Sequence, residues 1–373
     1  MAGKKIIKKR GPKPKEVEVQ NVVDAMEDRA EEIQEGSTEM NTNKSVNFLP
    51  TGITLYDLML GGGYPLGKIV NVVGDNSTGK TLLNLECLAF NKKLMKNKLK
   101  FFYDDAESGF SFDAKKMYGV DLFRDNQKNS TKVEEFDYSL SKEIETLKKD
   151  DTLLYILDSL DALSSQAESD RNDERIKAMD DDKTYDKGTF AMERQKMLSE
   201  MFRLKSSKIG DKNVTVVIIS QVRANIGVMF GEKYTRTGGK ALDFYASQAI
   251  WLAVAKKKEK EGRVIGVRIK AKTKKNKVGT PFRDCFIDVL FDYGVDNVTS
   301  NLNFLYDLLT PQGEEKSKRL VCEWEGKEYK IKDLIDYIEK ENLEDELAKR
   351  VIKKWNEIED KISSKRKSKW QRD

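Results

Sequence analysis

The sequence contains no histidine. That excludes a Ser-His-Asp triad, an H-E-x-x-H zinc site, a histidine-containing zinc finger and a histidine pH switch. Any acid–base chemistry falls to carboxylates, lysines or tyrosines. Cysteine is nearly as scarce. Cys87, Cys285 and Cys322 are odd in number and far apart, which makes neither a disulfide framework nor a zinc cluster and points to a reducing, cytoplasmic compartment. No apolar run reaches the roughly 18 residues that a membrane helix needs. The first fifteen residues lack the apolar stretch of a signal peptide. Neither a membrane nor a secretory route is expected.

What is present is a chain of 373 residues, long enough for one to three domains, with 38% hydrophobic and 35% charged residues. The 68 Lys+Arg against 63 Asp+Glu leave a net charge of only +5, but that small figure hides strong patterning. Lys4, Lys5, Lys8, Lys9, Arg10, Lys13 and Lys15 make a basic start without acids. An acidic stretch follows, with Val22, Val23, Met26, Ala30 and Ile33 at helical spacing. Residues 1–45 therefore read as an arm and linker with a short helix. Residues 46–296 read as the main globular unit, 297–362 as a small C-terminal domain and 363–373 as a basic tail.

Within 46–296, apolar runs alternate with helical periods. Lys68–Val73, Lys100–Asp105, Leu153–Asp158 and Val214–Gln221 are almost continuous apolar runs, the pattern of parallel strands buried on both faces. Ala249–Ala255 is a further strand candidate. Helical periods fall at Thr81–Leu94 and Met192–Lys205. Strands alternating with helices predict a doubly wound α/β sheet. Arg263–Lys272 and Phe282–Phe291 alternate polar and apolar residues and predict an antiparallel extension. Ile331, Leu334, Ile335 and Ile338, then Leu343, Leu347, Val351, Trp355 and Ile358, mark two amphipathic helices.

Gly74-Asp75-Asn76-Ser77-Thr78-Gly79-Lys80-Thr81 matches G-x-x-x-x-G-K-[ST] in full, between an apolar strand and a helix. This is a loop whose backbone N–H groups cradle the phosphates of ATP. Lys80 supplies a point charge to the β- and γ-phosphates, and Thr81 offers a hydroxyl to Mg²⁺. Asp158, closing the run Leu153–Leu157, is the expected second Mg²⁺ residue; its bland alternative is a helix cap, a job for which Ser159 competes. Water activation needs a carboxylate here. Asp104, Asp105 and Glu107 all stand at a strand end, where ligands of parallel sheets bind, and periodicity does not choose among them.

On these and further residues the chain resembles the bacterial RecA family of homologous recombinases, as a divergent or phage-encoded member. Thr51–Asp57 and Gly61–Val70 are similar to the segment before the family's phosphate loop. Asp105-Ala106-Glu107 resembles its D-A-E, which implies Glu107 as the water-activating base. Ser220-Gln221-Val222-Arg223 resembles the strand that ends in a γ-phosphate-sensing glutamine, here Gln221. The most specific match is Ile226–Gly231 with Thr235–Leu242 and Phe244–Ser247, which resembles the family's second DNA-binding loop.

The resemblance implies a RecA-like P-loop ATPase core with a mostly parallel twisted sheet, an N-terminal arm and a small C-terminal α/β domain. Arg223, Asn225, Gly227, Met229, Phe230, Arg236, Thr237, Gly238 and Gly239 become DNA-binding candidates. A glycine-rich, apolar and basic loop can wedge between stacked bases without reading sequence; on composition alone, Met229 and Phe230 would instead be a buried pair. A first DNA loop before the helix bearing Lys196, Ser199 and Arg203 is implied too. Lys275 and Lys277 resemble a lysine pair that reaches the ATP of the neighbouring subunit, where composition alone offers a solvated basic face.

The implied activity is DNA-dependent ATPase and strand exchange, with ATP and Mg²⁺ as cofactors. Its partners are single-stranded and duplex DNA, further copies of the chain in a helical filament, and a single-strand-binding protein or mediator. A RecA-core motor or helicase and an ATP-binding scaffold without turnover are the competing functions. Three features depart from the family: Glu168–Lys187 is longer and acid-rich, the chain ends basic, and the position of the adenine-stacking tyrosine falls at Ala114. Phe110, Phe112 and Tyr118 are the substitutes at hand.

Overall fold

The computed structural model describes residues 46–110, 113–180, 191–224, 234–236, 239–317, 321–367 and 370. The basic arm and the Val22–Ile33 stretch lie outside the described residues.

A short pair, β1 (Phe48–Leu49) and β2 (Tyr64–Pro65), brackets helix α1 (Thr54–Leu60). Asp57 fixes this entry: its carboxylate accepts from the Thr51 N–H at 2.8 Å and the Thr51 hydroxyl at 2.6 Å. Gly61, in the left-handed region at φ 87°, ends the helix. Strand β3 (Lys68–Gly74) then enters the main sheet, and α2 (Lys80–Met95) leaves it.

The rest of the core follows in order as β4 (Leu99–Asp105), α3 (Ala114–Tyr118), α4 (Val133–Thr146), β5 (Thr152–Asp158), α5 (Gln166–Asp180), α6 (Ala191–Gly210), β6 (Val214–Ala224), β7 (Tyr234–Arg236), α7 (Gly239–Tyr245) and β8 (Ala246–Lys260). Strands β9 (Arg263–Asn276), β10 (Asp284–Leu290) and β11 (Gly294–Asp296) complete the sheet. Helix α8 (Asn297–Leu305), the hairpin β12 (Val321–Trp324) and β13 (Lys327–Lys330), and helices α9 (Ile331–Glu341) and α10 (Glu344–Ile362) follow.

The sheet runs β11-β10-β9-β8-β3-β6-β5-β4. Strands β8, β3, β6, β5 and β4 are parallel, and β9 to β11 extend the sheet antiparallel. The four continuous apolar runs thus sit where both faces are covered. The mid-strand polar residue Asn71 is matched inside the sheet, donating to the Ile218 carbonyl and the Ser220 hydroxyl at 2.8 Å each.

On one face, α4 and α6 pack Phe136, Leu140, Leu198 and Phe202 against Tyr155, Val216 and Ile218. On the other, α1, α2 and the C-terminal elements join one apolar cluster with Val70, Val72, Ile269 and Ile287. That cluster takes in Trp324, Leu334, Ile338, Leu347, Val351 and Trp355. The helix α10 stripe differs from expectation at its end. Ile358 is 39% exposed, and Glu359 is buried in its place, because Glu359 takes a forked pair with Arg283 of the β9–β10 turn. Helix α5 takes in residues 168–180 of the acid-rich insertion, and residues 181–190 lie outside the described residues.

Register decides where the site falls. Gly74 lies level with Gln221, and Asp105 lies level with Asp158. All four stand at the carboxyl edge of the parallel strands, where ligands bind in such sheets.

Candidate phosphate and metal site

The loop from Gly74 to Lys80 needs its glycines for space and for conformation. A side chain at Gly74 would meet the Thr78 hydroxyl at 2.4 Å and the Leu252 carbonyl at 3.0 Å. Gly79 has φ +80°, and a Cβ there would strike Ile269 at 2.5 Å. The Thr78 hydroxyl closes the turn on the Asp75 carbonyl at 2.8 Å. Asp75, Asn76 and Ser77 are exposed on the loop's crest. Lys80 Nζ donates to the Gly74 carbonyl at 3.1 Å and the Asp75 carbonyl at 2.8 Å, so its charge sits beneath the loop. Burial pulls the Lys80 ammonium below its usual value, against the nearby charges of Asp158 and Glu107.

Asp158 is 8% exposed. Its Oδ2 accepts from the Thr81 hydroxyl at 2.6 Å and from the Tyr103 hydroxyl at 2.8 Å. Burial pushes the carboxyl up from the ordinary range, while these two donors hold it down. Ser159 opens the 3-10 turn Leu160–Ala162 without a side-chain cap bond, and its hydroxyl donates instead to Glu107.

The three carboxylates at the end of β4 separate cleanly. Asp104 is fully buried on the opposite face of the strand, taking the Ser130 N–H at 2.7 Å, the Ser130 hydroxyl at 2.7 Å and the Tyr155 hydroxyl at 2.6 Å. Its role is to pin the segment before α4. Asp105 accepts from the Phe110 N–H at 3.2 Å. Glu107 is exposed and faces the cleft, and Gln221 Nε2 donates to its Oε1 at 3.0 Å. The Gln221 backbone N–H is itself held by Asp161 Oδ2 at 2.7 Å.

Thr81, Leu82, Tyr103, Asp105, Glu107 and Asp158 line a cleft of about 380 Å³, together with Phe110, Met117 and Phe291. The donors suit Mg²⁺. Thr81 and Asp158 are hard oxygen groups, and this ion keeps most of its shell as water and phosphate. Among the described residues no group of three or more cysteines, aspartates and glutamates forms a metal cage, which such an ion does not require.

Two site features were missed in the sequence. Tyr103 carries no motif signal, and Phe291, 53% exposed at the cleft's rim, reads simply as the end of an alternating strand. Of the three aromatic candidates near Ala114, Phe110 lines this cleft. Tyr118 packs beside Glu86 and Phe90 in a separate cavity, and Phe112 lies outside the described residues. Ala114 itself is buried at the start of α3.

Lys196, Ser199 and Arg203 are exposed along one face of α6, three and four residues apart. Strand β6 runs on past Gln221 and pairs antiparallel with β7, matching Val222 with Arg236 and Ala224 with Tyr234. The backbones of Arg223, Arg236 and Gly239 lie in β6, β7 and α7. Asn225, Gly227, Met229, Phe230, Thr237 and Gly238 lie outside the described residues.

Lys275 and Lys277 do not join Lys80 and Glu107. Lys275 pairs with Ala249, which is level with Asn71, so it stands three residues short of Gly74, roughly 10 Å back along the sheet, and two strands across. Lys275 donates to the carbonyls of Asp243 and Phe244, and Lys277 to that of Phe244 at 3.2 Å. Cations at a helix C-terminus are favourably placed. Lys277 also lies 5.7 Å above the Phe244 ring.

The RecA N-terminal domain family model matches residues 24–296. This chain belongs to the RecA family. The protein RecA of Malacoplasma penetrans is 31% identical over 271 residues, covering 71% of this chain and 76% of the relative. That of Mesoplasma florum is 30% identical over 313 residues, covering 77% and 87%. That of Ruminococcus albus is 32% identical over 313 residues, covering 79% and 73%. Among solved structures, the RadB recombinase aligns with 66% of this chain and 98% of its own at 18% identity, with a TM-score of 0.45. The chain is a RecA-family DNA-dependent ATPase with an α/β core on a mostly parallel sheet, and an ATP-binding protein of DNA recombination and repair. The family in general binds DNA and forms filaments. Among the described residues no helix is long and apolar enough to cross a membrane, and the three cysteines are free and buried.

Proposed function

We propose that this chain is an ATP-dependent DNA recombinase that forms a helical filament on single-stranded DNA, pairs it with homologous duplex and exchanges strands. The observation that carries this reading is the position of Gln221. It touches Glu107 at the mouth of the phosphate cleft, and the same strand continues at once into the β6–β7 hairpin. The segment that resembles a DNA-binding loop joins these two strands. Gln221 thereby stands one residue before the first β6–β7 pair, Val222 with Arg236, on the strand that leads into that segment.

In this reading the N–H groups of Gly74–Gly79 cradle the phosphates, and Lys80 neutralises β- and γ-phosphate charge. Thr81, whose hydroxyl donates a hydrogen bond to Asp158, would hold Mg²⁺ together with that carboxylate. The bound ion would offset charge that develops on the phosphates. Glu107 accepts the proton of the attacking water and is oriented by Ser159 and Gln221. Gln221 exchanges its bond to Glu107 for one to the γ-phosphate, and the hairpin follows. Lys196, Ser199, Arg203, Arg223 and the 225–239 segment contact DNA.

Lys275 and Lys277 act on the ATP of a neighbouring copy. Their distance from Gly74 of their own chain supports that assignment over a role in cis. The insertion at 168–187 serves as a surface for an accessory protein. Electron microscopy of the full chain with single-stranded DNA and a non-hydrolysable ATP analogue tests the reading. Open helical filaments are expected, and closed rings would instead identify a hexameric motor.

A further inference from the structure

We infer that Tyr103 is a positioning residue for phosphoryl transfer, which holds one oxygen of Asp158 so that the other remains available to the water shell of Mg²⁺. The inference rests on the reading of Asp158 as a metal residue. Asp158 Oδ2 receives two donors, Thr81 at 2.6 Å and Tyr103 at 2.8 Å. Among the described residues Oδ1 takes no hydrogen bond. The two oxygens of one carboxylate are thus divided between a fixed protein side and a free side.

The Tyr103 hydroxyl is held from several directions. Tyr103 stands on β4, paired with Ile156, two residues before Asp158 on the neighbouring strand. Its ring meets Phe110 edge-on at 5.4 Å and Phe123 edge-on at 5.9 Å, and those two rings meet each other at 6.0 Å. Its carbonyl accepts from Gln127 Nε2 at 2.7 Å. At 1% exposure the ring has no room to swing. A phenylalanine would fill the same aromatic cluster, so packing does not account for the hydroxyl. A buried hydroxyl is costly without a partner, and its partner here is the carboxylate that faces the phosphate loop.

An Asp that meets a hydrated cation must present a set oxygen at a set angle, and groups that orient such a carboxylate change metal affinity strongly when removed. Thr81 alone cannot supply that orientation. Its hydroxyl would itself serve the cation, whereas the Tyr103 hydroxyl, carried by the sheet, serves Asp158.

The test uses the full-length chain and a fluorescent, non-hydrolysable ATP analogue titrated with MgCl₂, with ATP turnover measured in parallel. Tyr103→Phe should raise the Mg²⁺ midpoint for analogue binding about tenfold and leave binding in EDTA unchanged. The Mg²⁺ concentration for half-maximal turnover should shift in the same direction. Phe123→Leu, which loosens the ring clamp and keeps the hydroxyl, should move the midpoint in the same direction by a smaller factor. A lowered thermal midpoint with an unchanged Mg²⁺ midpoint in Tyr103→Phe would mean a purely structural hydroxyl and would overturn the inference. Asp158→Asn separates the two levels. If it raises the Mg²⁺ midpoint and Tyr103→Phe does not, only the role of Tyr103 fails. If neither variant moves it, Asp158 is not a metal residue and the inference falls with that assignment.

Discussion

The side chains of Glu107 and Gln221 share a hydrogen bond of 3.0 Å although they are 114 residues apart in sequence. One lies two residues past the end of β4, and the other precedes the β6–β7 pairing. The same Glu107 oxygen, Oε1, also accepts from the Ser159 hydroxyl, and Asp161 holds Gln221 at its backbone N–H. In the proposed function this pair links the phosphate cleft to the β6–β7 strands.

Glu107→Gln should keep Mg·ATP binding and lose ATP turnover by about 10²- to 10⁴-fold, the usual contribution of a positioned general base. Single-turnover hydrolysis beside a nucleotide-binding titration measures both. Turnover near the unmodified rate would remove Glu107 from the role of base.

Gln221→Ala should leave DNA-free turnover within about threefold, since its amide orients rather than transfers a proton, and should abolish stimulation by single-stranded DNA. Turnover measured with and without single-stranded DNA decides this. Full stimulation in the variant would place the coupling elsewhere.

Lys80→Ala should abolish turnover, because the Lys80 charge beneath the loop is lost along with its bonds to Gly74 and Asp75. Lys275→Ala should lose only filament-dependent turnover. Mixing it with Lys80→Ala tests action between copies. In mixed filaments an intact phosphate site from the first variant can meet intact lysines from the second, so partial activity should return. Two inactive proteins giving an inactive mixture would contradict the assignment.

Asp104 provides a pH test of stability. Burial raises its carboxyl above the ordinary range in the folded chain. The folded state therefore binds the proton more tightly, so this residue's contribution is fullest at low pH. It declines as pH rises from the ordinary carboxylate value through the raised one. Thermal midpoints of the unmodified chain and Asp104→Asn, followed from about pH 4 to pH 7, should show the unmodified chain's relative advantage shrinking as pH rises. A widening advantage would contradict the sign.

Much of the parallel core was legible because its signal is local. Continuous apolar runs marked β3, β4, β5 and β6, and the glycine spacing marked the loop between β3 and α2. What escaped depends on which face of a strand a residue takes and on contacts across the sheet. Asp104, Asp105 and Glu107 look equivalent in sequence, yet β4 buries the first against Ser130 and Tyr155 and turns the last into the cleft. Tyr103 resembles any core aromatic until β5 brings Asp158 alongside. Ile358 fits the helical stripe of α10, but Arg283, 76 residues away, draws Glu359 inward instead. Such pairings are set by register between distant segments, which periodicity within one segment does not encode.

Strand exchange tests the central claim most directly. Full-length protein is mixed with circular single-stranded DNA, homologous linear duplex, ATP and Mg²⁺, and the products are resolved by gel. Joint molecules and then nicked circles are expected, dependent on ATP and on homology, and absent with Lys80→Ala. Strong DNA-stimulated ATP turnover with no joint molecules from homologous duplex would contradict the assignment and leave a DNA-dependent motor in its place.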